Sequence, residues 1–194
     1  MNNLPRIIFI TGSLSLLLVF TSPIWRIKLE APQYPDGVTM YIWINKLSGE
    51  SKGTLQNINI LNHYVGMQEI DPESIPELKY FPYVIIFMSV LGVIGGFINK
   101  RKFWVFWIIL LLILGALGIY DFYLWEYNYG HNLSEDAPIK IPGMVYQPPL
   151  IGSKKLLNFN AISYPYYGSI FIAIPVILGF IAYYLKRKRS DNHE

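Results

Sequence analysis

FPYVIIFMSVLGVIGGFINKRKFWVFWIILLLILGALGIY, residues 81–120, decides the fold class of this chain. It contains two uncharged apolar runs, 81–98 and 103–120, each close to the roughly 20 residues that a helix needs to cross about 30 Å of hydrocarbon. The short link between them carries Lys100, Arg101 and Lys102. This pattern predicts a pair of transmembrane helices joined by a basic turn.

Two further apolar runs, 7–23 and 167–185, flank this pair and predict an α-helical membrane protein with a four-helix bundle. A second basic cluster, 186–189, follows the last run, and basic links mark the cytoplasmic side of a membrane. We therefore expect a multi-pass protein with both termini in the cytoplasm. The first run has a cleaved signal peptide as its alternative, but Thr21, Ser22 and Pro23 do not form a small-residue cleavage site, which favours a retained span.

The predicted boundaries follow from these runs. Membrane spans are 7–23, 81–98, 103–120 and 167–185, extracytoplasmic segments are 24–80 and 121–166, the cytoplasmic link is 99–102 and the cytoplasmic tail is 186–194. Half of the 16 Lys and Arg residues lie in the basic clusters or at Arg6. The sequence pI of about 8.9 therefore reflects topology, and we expect the lipid bilayer rather than nucleic acid as a partner.

The two extracytoplasmic segments are each too small for an independent core, so we expect one small mixed α+β domain built from both loops. Met40, Ile42 and Ile44 alternate with larger or polar residues, which predicts a strand over 38–45 with Met40 on its apolar face. Residues 55–61 are predicted as a returning strand. Asp71 followed by Pro72 predicts a helix N-terminus, and the prolines of 137–159 predict an extended loop.

Two local features of the spans carry predictions of their own. Gly92 and Gly96 have the spacing that lets helices approach closely, and we interpret them as packing between the second and third spans of one bundle, with an oligomer contact as the alternative. The aromatic residues of 123–129 are predicted to form a belt at the membrane surface. Asp121 and Glu126 beside them are interpreted as hydrogen-bonding and ion-pairing groups. Acid–base catalysis is the alternative, and no nucleophile motif accompanies it.

The stretch LNHYVGM, 61–67, places His63 four residues before Met67. Residues i and i+4 share a helix face, so an imidazole and a thioether would converge on one ion. This donor pair suits copper, and Cu(I) in particular. The chain has no cysteine, so methionine is the soft sulfur donor on the extracytoplasmic side.

His131 and Met144 lie in the second extracytoplasmic segment and would complete a metal site at the junction of the two segments. Met40 is a further thioether that could replace either methionine, although its alternation with Ile42 and Ile44 favours a core position. For His63 and Met67 the alternative is a surface histidine beside a core methionine. For His131 it is local hydrogen bonding in a turn between Gly130 and Asn132.

Several segments carry a resemblance to a known family: LNHYVGM, IPELKYFPY, DFYLWEYNYGHNL, APIKIPGM and YQPPLIGSKKLLNF. Across about 31–159 the chain resembles small bacterial membrane proteins associated with nitrous-oxide-reductase (Nos) maturation, which are similar to copper-delivery accessories. The resemblance implies a bacterial inner-membrane location. It also implies that His63, Met67, His131 and Met144 stand at family motif positions.

The sequence thus predicts a non-enzymatic copper-binding accessory that hands Cu(I) to a periplasmic cuproenzyme, nitrous oxide reductase by resemblance, or to its chaperone. The thioether ligands of such a site would exchange readily, which transfer requires. The alternative is a metal-free scaffold whose proline- and tyrosine-rich outer surface docks a periplasmic partner. A membrane enzyme is the third interpretation, and the absence of a nucleophile motif disfavours it.

Overall fold

Four long apolar helices form the larger part of the molecule. The computed structural model describes residues 3–191. The helices are α1 (Leu4–Ser15, continued by a 3-10 turn over Leu16–Thr21), α3 (Glu77–Ile98), α4 (Arg101–His131) and α5 (Ile170–Asp191). All four are long and apolar enough to cross a membrane, which agrees with the predicted spans. Helix α1 packs against α3 and α5, and α4 packs against the same two helices.

A five-stranded antiparallel sheet accompanies the bundle. Its strands are β1 (Trp25–Ala31), β2 (Tyr34–Ile42), β3 (Leu47–Gly49), β4 (Gly152–Leu156) and β5 (Phe159–Pro165), in the order β3-β2-β1-β5-β4. The central strand β1 pairs with β2 on one side and with β5 on the other, from Trp25 opposite Pro165 to Glu30 opposite Asn160. One sheet therefore contains strands from both of the predicted extracytoplasmic segments.

A short helix, α2 (Thr54–Val65), packs on strand β2. The prediction of a strand over 55–61 is wrong, because Ile58, Asn62 and Val65 recur at helical spacing and are buried together. The predicted cap is confirmed: the Asp71 side chain accepts a hydrogen bond from the Glu73 amide at 3.0 Å. It caps only a 3-10 turn, Pro72–Ser74, and α3 begins separately at Glu77.

The core of the bundle is aromatic and tightly packed. Phe9 of α1 stacks on Trp104 of α4 at 4.7 Å and meets Trp107 edge-on at 5.2 Å. Two glycines of α3 allow α1 to pack closely against that helix. A Cβ at Gly92 would lie 2.2 Å from the Ser13 hydroxyl, and one at Gly96 would lie 2.2 Å from Ile10. Packing within the bundle is thus confirmed for this glycine pair, but the prediction of the third span as the principal partner is wrong, because α1 is the principal partner.

Helix α4 extends well past the predicted span. Its 31 residues measure about 46 Å at 1.5 Å per residue, which is longer than the roughly 30 Å of hydrocarbon that a span must cross, and its last turns lie beyond the predicted span. Trp125 and Tyr129 pack into the core that lies between the sheet and α2, with ring centroids 4.5 Å apart. The predicted surface belt is therefore wrong for these two rings, which belong to the core of the sheet domain, defined here as β1–β5, α2 and the last turns of α4.

The basic groups lie together at the end of the bundle that is remote from the sheet. The Arg6 guanidinium lies 4.7 Å from the Phe97 ring centroid, near the end of α3. The Lys186 ammonium of α5 hydrogen-bonds Asn99 and lies 4.7 Å over the Trp104 ring. The start of α1, the turn between α3 and α4 and the end of α5 thus share one end of the molecule.

Candidate functional site

Helix α2 ends one residue before Gly66, and the chain then reverses. Gly66 adopts a left-handed conformation, with φ of 81°, which glycine accepts without strain. The Met67 amide donates to the Asn62 carbonyl at 2.9 Å and closes the helix end. The returning loop is held by Asn59, whose side chain bonds both the amide and the carbonyl of Ile70 at 2.9 and 3.2 Å. The position of Met67 is therefore fixed by the backbone around it.

His63 and Met67 do not share a turn of helix. His63 is exposed on the last turn of α2, with its ring 6.4 Å from the Tyr64 ring. Met67 lies beyond the helix end and packs partly buried against the core of the sheet domain. The predicted common face is wrong because the left-handed Gly66 interrupts the helical repeat between them. Metal binding by the two residues stays a prediction.

His131 is the last residue of α4, and its ring stacks on Tyr127 at 3.8 Å. Its Nδ1 lies 2.9 Å from the Tyr127 carbonyl oxygen. A carbonyl only accepts, so Nδ1 carries the proton in this contact, and in the neutral imidazole the lone pair is left on Nε2. Nε2 is therefore the nitrogen with which His131 would bind a metal ion.

Met144 lies in the irregular segment between α4 and β4 and packs partly buried against the core of the sheet domain. Two residues later, the Tyr146 amide donates to the Gly130 carbonyl at 3.0 Å, and the backbone of Gln147 crosses so closely that a Cβ at Gly130 would lie 2.3 Å from it. This segment is thus pressed against the C-terminal end of α4, next to His131.

The loop after α2 reaches the same place. The Gly66 carbonyl accepts a hydrogen bond from the Ser134 amide at 2.7 Å, and the Tyr64 carbonyl accepts one from the Ile139 amide at 3.0 Å. Backbone contacts therefore bring the segments that carry Met67, His131 and Met144 to the C-terminal end of α4. His63 lies on the exposed side of α2 nearby. Within residues 3–191, no three histidine, aspartate or glutamate side chains are grouped so that they could hold a metal ion.

The sheet domain also encloses a small cavity of ≈ 40 Å³ between β1, β2, α2 and the end of α4. Its lining includes Met40, Met67, Glu126 and Tyr146. Met40 is buried, as its alternation predicts. The cavity is large enough for about three or four water molecules at roughly 10–15 Å³ of such space each.

Among the described residues that line this cavity, Glu126 alone has a charged side chain, and that side chain is fully buried (0% exposed). Neither carboxyl oxygen has a hydrogen-bond partner, and the Tyr146 hydroxyl also has none. The ion pairing predicted for Glu126 is therefore wrong. Burial raises the pKa of the Glu126 carboxyl to about 8, because no neighbouring group stabilises its charged form.

The prediction of an aromatic belt over 123–129 places Glu126 at the membrane surface. Phe122, Trp125, Glu126 and Tyr129 have the spacing i, i+3, i+4 and i+7 of a single helix face. Continuing the third span as one helix past Tyr120 would have placed this carboxylate on the apolar face. This spacing in the sequence indicates that Glu126 lies on the buried face of the helix, where it lines the cavity.

Comparison with known proteins adds no family to this geometry. The chain matches no protein-family model and no curated protein.

Proposed function

We propose that this protein is a four-span membrane accessory that binds Cu(I) in its sheet domain and passes it to a periplasmic cuproenzyme or its chaperone. The observation that carries the proposal is the meeting of two donor-bearing segments at the end of α4. The Gly66–Ser134 hydrogen bond at 2.7 Å and the Tyr146–Gly130 hydrogen bond at 3.0 Å join them. The resemblance to proteins of nitrous-oxide-reductase maturation supports the same function and makes that enzyme the first candidate recipient.

The charge distribution supports an outward-facing sheet domain. Arg6, the 100–102 cluster and Lys186 lie at one end of the bundle, and the sheet lies at the other. Basic residues near span ends are retained in the cytoplasm, so the sheet domain faces the periplasm in a bacterial inner membrane. An even number of spans places both termini on the same side of the membrane, and the basic residues make that side the cytoplasm.

The donor chemistry selects Cu(I). Met67 and Met144 offer uncharged thioethers, and His131 offers Nε2 because its Nδ1 is engaged with the Tyr127 carbonyl at 2.9 Å. His63 is exposed and would join from the surface. Thioethers and a neutral imidazole bind Cu(I) without a closed thiolate cage, so the ion remains exchangeable for a partner.

A metal-free assembly subunit is the second candidate function. Tyr64 is 49% exposed, and Ile139 and Ile141 are each 44% exposed. The hydrogen bond from the Ile139 amide to the Tyr64 carbonyl joins these residues into one apolar surface. Exposed apolar patches of this kind mark protein contacts, and such a contact would serve either metal transfer or simple docking.

A competition titration of the purified full-length protein in detergent, against a chromogenic Cu(I) chelator, tests the proposal. The Met67→Leu, Met144→Leu double variant should bind Cu(I) at least about 100-fold more weakly, since even the loss of an outer-shell partner costs about 10–100-fold. Met88→Leu, in the bundle core, is the matched control and should bind as the wild type does.

Two outcomes would count against this assignment. An unchanged affinity in the double variant would show that Met67 and Met144 are not ligands. No Cu(I) binding by the wild type would favour the metal-free subunit. That function is tested by pull-down of a periplasmic partner, which the wild type should capture and an Ile139→Asp, Ile141→Asp variant should not.

A further inference from the structure

The cavity of the sheet domain contains one carboxylate and no positively charged side chain in its described lining. Its described lining is apolar apart from Glu126, Asn62 and two tyrosines, and it includes no lysine, arginine or histidine. Both Glu126 oxygens are buried without a partner. An unpaired carboxylate in such surroundings costs several kcal/mol, so the native state needs either a proton or a cation there.

The same cavity holds two sulfur donors. Met40 lies on strand β2 and is buried, and Met67 enters from the loop after α2. Two thioethers and one carboxylate come from three different elements and line a single space of ≈ 40 Å³. A space of this size accepts one metal ion and excludes an organic ligand, because ligand pockets of the usual kind measure about 300–1,000 Å³.

We propose that Glu126, Met40 and Met67 form an interior Cu(I) site. A monovalent ion neutralises the single carboxylate, whereas a divalent ion would leave an uncompensated positive charge in an apolar cavity. The thioethers select a soft cation over Na⁺ or K⁺. The unpartnered Tyr146 hydroxyl supplies a hydrogen-bond donor to the same space.

This site extends the proposed function and rests on it, because Met67 belongs to both donor sets. Met67 lies in the loop after α2, whose backbone contacts the segment that follows α4, and it also lines the cavity. An ion captured with His131 and Met144 would therefore keep one ligand while it moves inward. The interior position would shield the ion from water until a partner withdraws it through the same end.

Cu(I) competition titrations of Glu126→Gln and Met40→Leu, in the full chain, test the interior site. Both substitutions nearly conserve volume, and thermal melting of the metal-free variants verifies that they fold. Each should weaken Cu(I) binding at least about tenfold, while Met88→Leu should not. Unchanged affinity in either variant overturns the donor set. If Met144→Leu weakens Cu(I) binding and neither Glu126→Gln nor Met40→Leu does, the interior site is refuted and the surface site stands. If the wild type binds no Cu(I), both sites are refuted.

X-ray absorption at the copper edge provides a second measurement that needs no variant. Wild-type protein loaded with one equivalent of Cu(I) should show sulfur and oxygen scatterers without the multiple-scattering pattern of imidazole. An imidazole pattern would place the ion on His131 or His63 and overturn the interior site while supporting the surface one.

Discussion

The two cores of this molecule treat their buried polar groups differently. In the bundle core each indole N–H is paired: Trp104 donates to the Gly95 carbonyl at 3.0 Å and Trp107 to the Met88 carbonyl at 2.8 Å. In the core of the sheet domain, both Glu126 oxygens and the Tyr146 hydroxyl are buried without partners beside a cavity. Buried polar groups are normally satisfied, so these exceptions distinguish the core of the sheet domain from the core of the bundle.

The two cores also differ in the surroundings of their buried methionines. Met88 and Met40 are both buried methionines, but Met88 is enclosed by rings and helices, whereas Met40 faces the cavity that Glu126 lines. A thioether is a favourable ligand for a soft cation where the cavity has space for the ion and a carboxylate to balance its charge. The sheet domain provides both, and the bundle holds the domain in the membrane.

The largest expected effect comes from the closed bundle core. Trp107→Ala removes a fully buried ring and its hydrogen bond to Met88, and should destabilise the protein by about 3–5 kcal/mol. Chemical unfolding in detergent, followed by far-ultraviolet circular dichroism, measures the change. Leu117→Ala on the exposed face of the same helix is the control and should change stability little. A loss below about 1 kcal/mol for Trp107→Ala would contradict a closed core.

A smaller effect is expected from the sheet-domain core of the metal-free protein, with chelator present. The pKa of Glu126 is raised to about 8, so the folded state holds a proton that the unfolded state releases above its ordinary pKa of 4.5. Stability is therefore full below pH 4.5 and falls as the pH rises towards 8, by at most about 1.4 kcal/mol per pH unit.

Glu126→Gln should remove the Glu126 contribution to this slope, so that the free energy of unfolding varies much less between pH 5.5 and 7.5. The other titratable groups of the cavity lining, Tyr129 and Tyr146, have pKa values raised above 10 by burial and do not ionise in this range. Unfolding titrations at three pH values compare the two proteins. A slope that survives in the variant would assign the pH dependence to other groups.

The sequence predicts the parts of this fold that depend on composition and short periods. Four charge-free runs yield four helices, and the alternation around Met40 yields a strand with that side chain buried. Strand β1 is absent from the predictions although Ile27 and Leu29 alternate with Lys28 and Glu30, a pattern of the same kind. Because β1 begins directly after a span, its alternating pattern is harder to recognise in the sequence.

The remaining features depend on tertiary contacts. Residues 55–61 fit a period of 2 as well as 3.6, and only packing of Ile58 and Val65 on the sheet decides for helix. The separation of His63 from Met67 depends on the single left-handed residue Gly66. Glu126 enters the core because α4 continues as one helix to His131, whereas the span predicted from the sequence stops at Tyr120.

The smallest expected effect compares two tyrosines of the sheet-domain core. The Tyr129 hydroxyl donates to the Glu69 carbonyl at 2.9 Å, so Tyr129→Phe should cost about 1 kcal/mol. The Tyr146 hydroxyl has no protein partner, so Tyr146→Phe should be neutral or slightly stabilising in the metal-free protein. Paired unfolding curves measure both. If Tyr146→Phe costs as much as Tyr129→Phe, ordered water already satisfies the Tyr146 hydroxyl, and the contrast between the two cores would narrow to Glu126 alone.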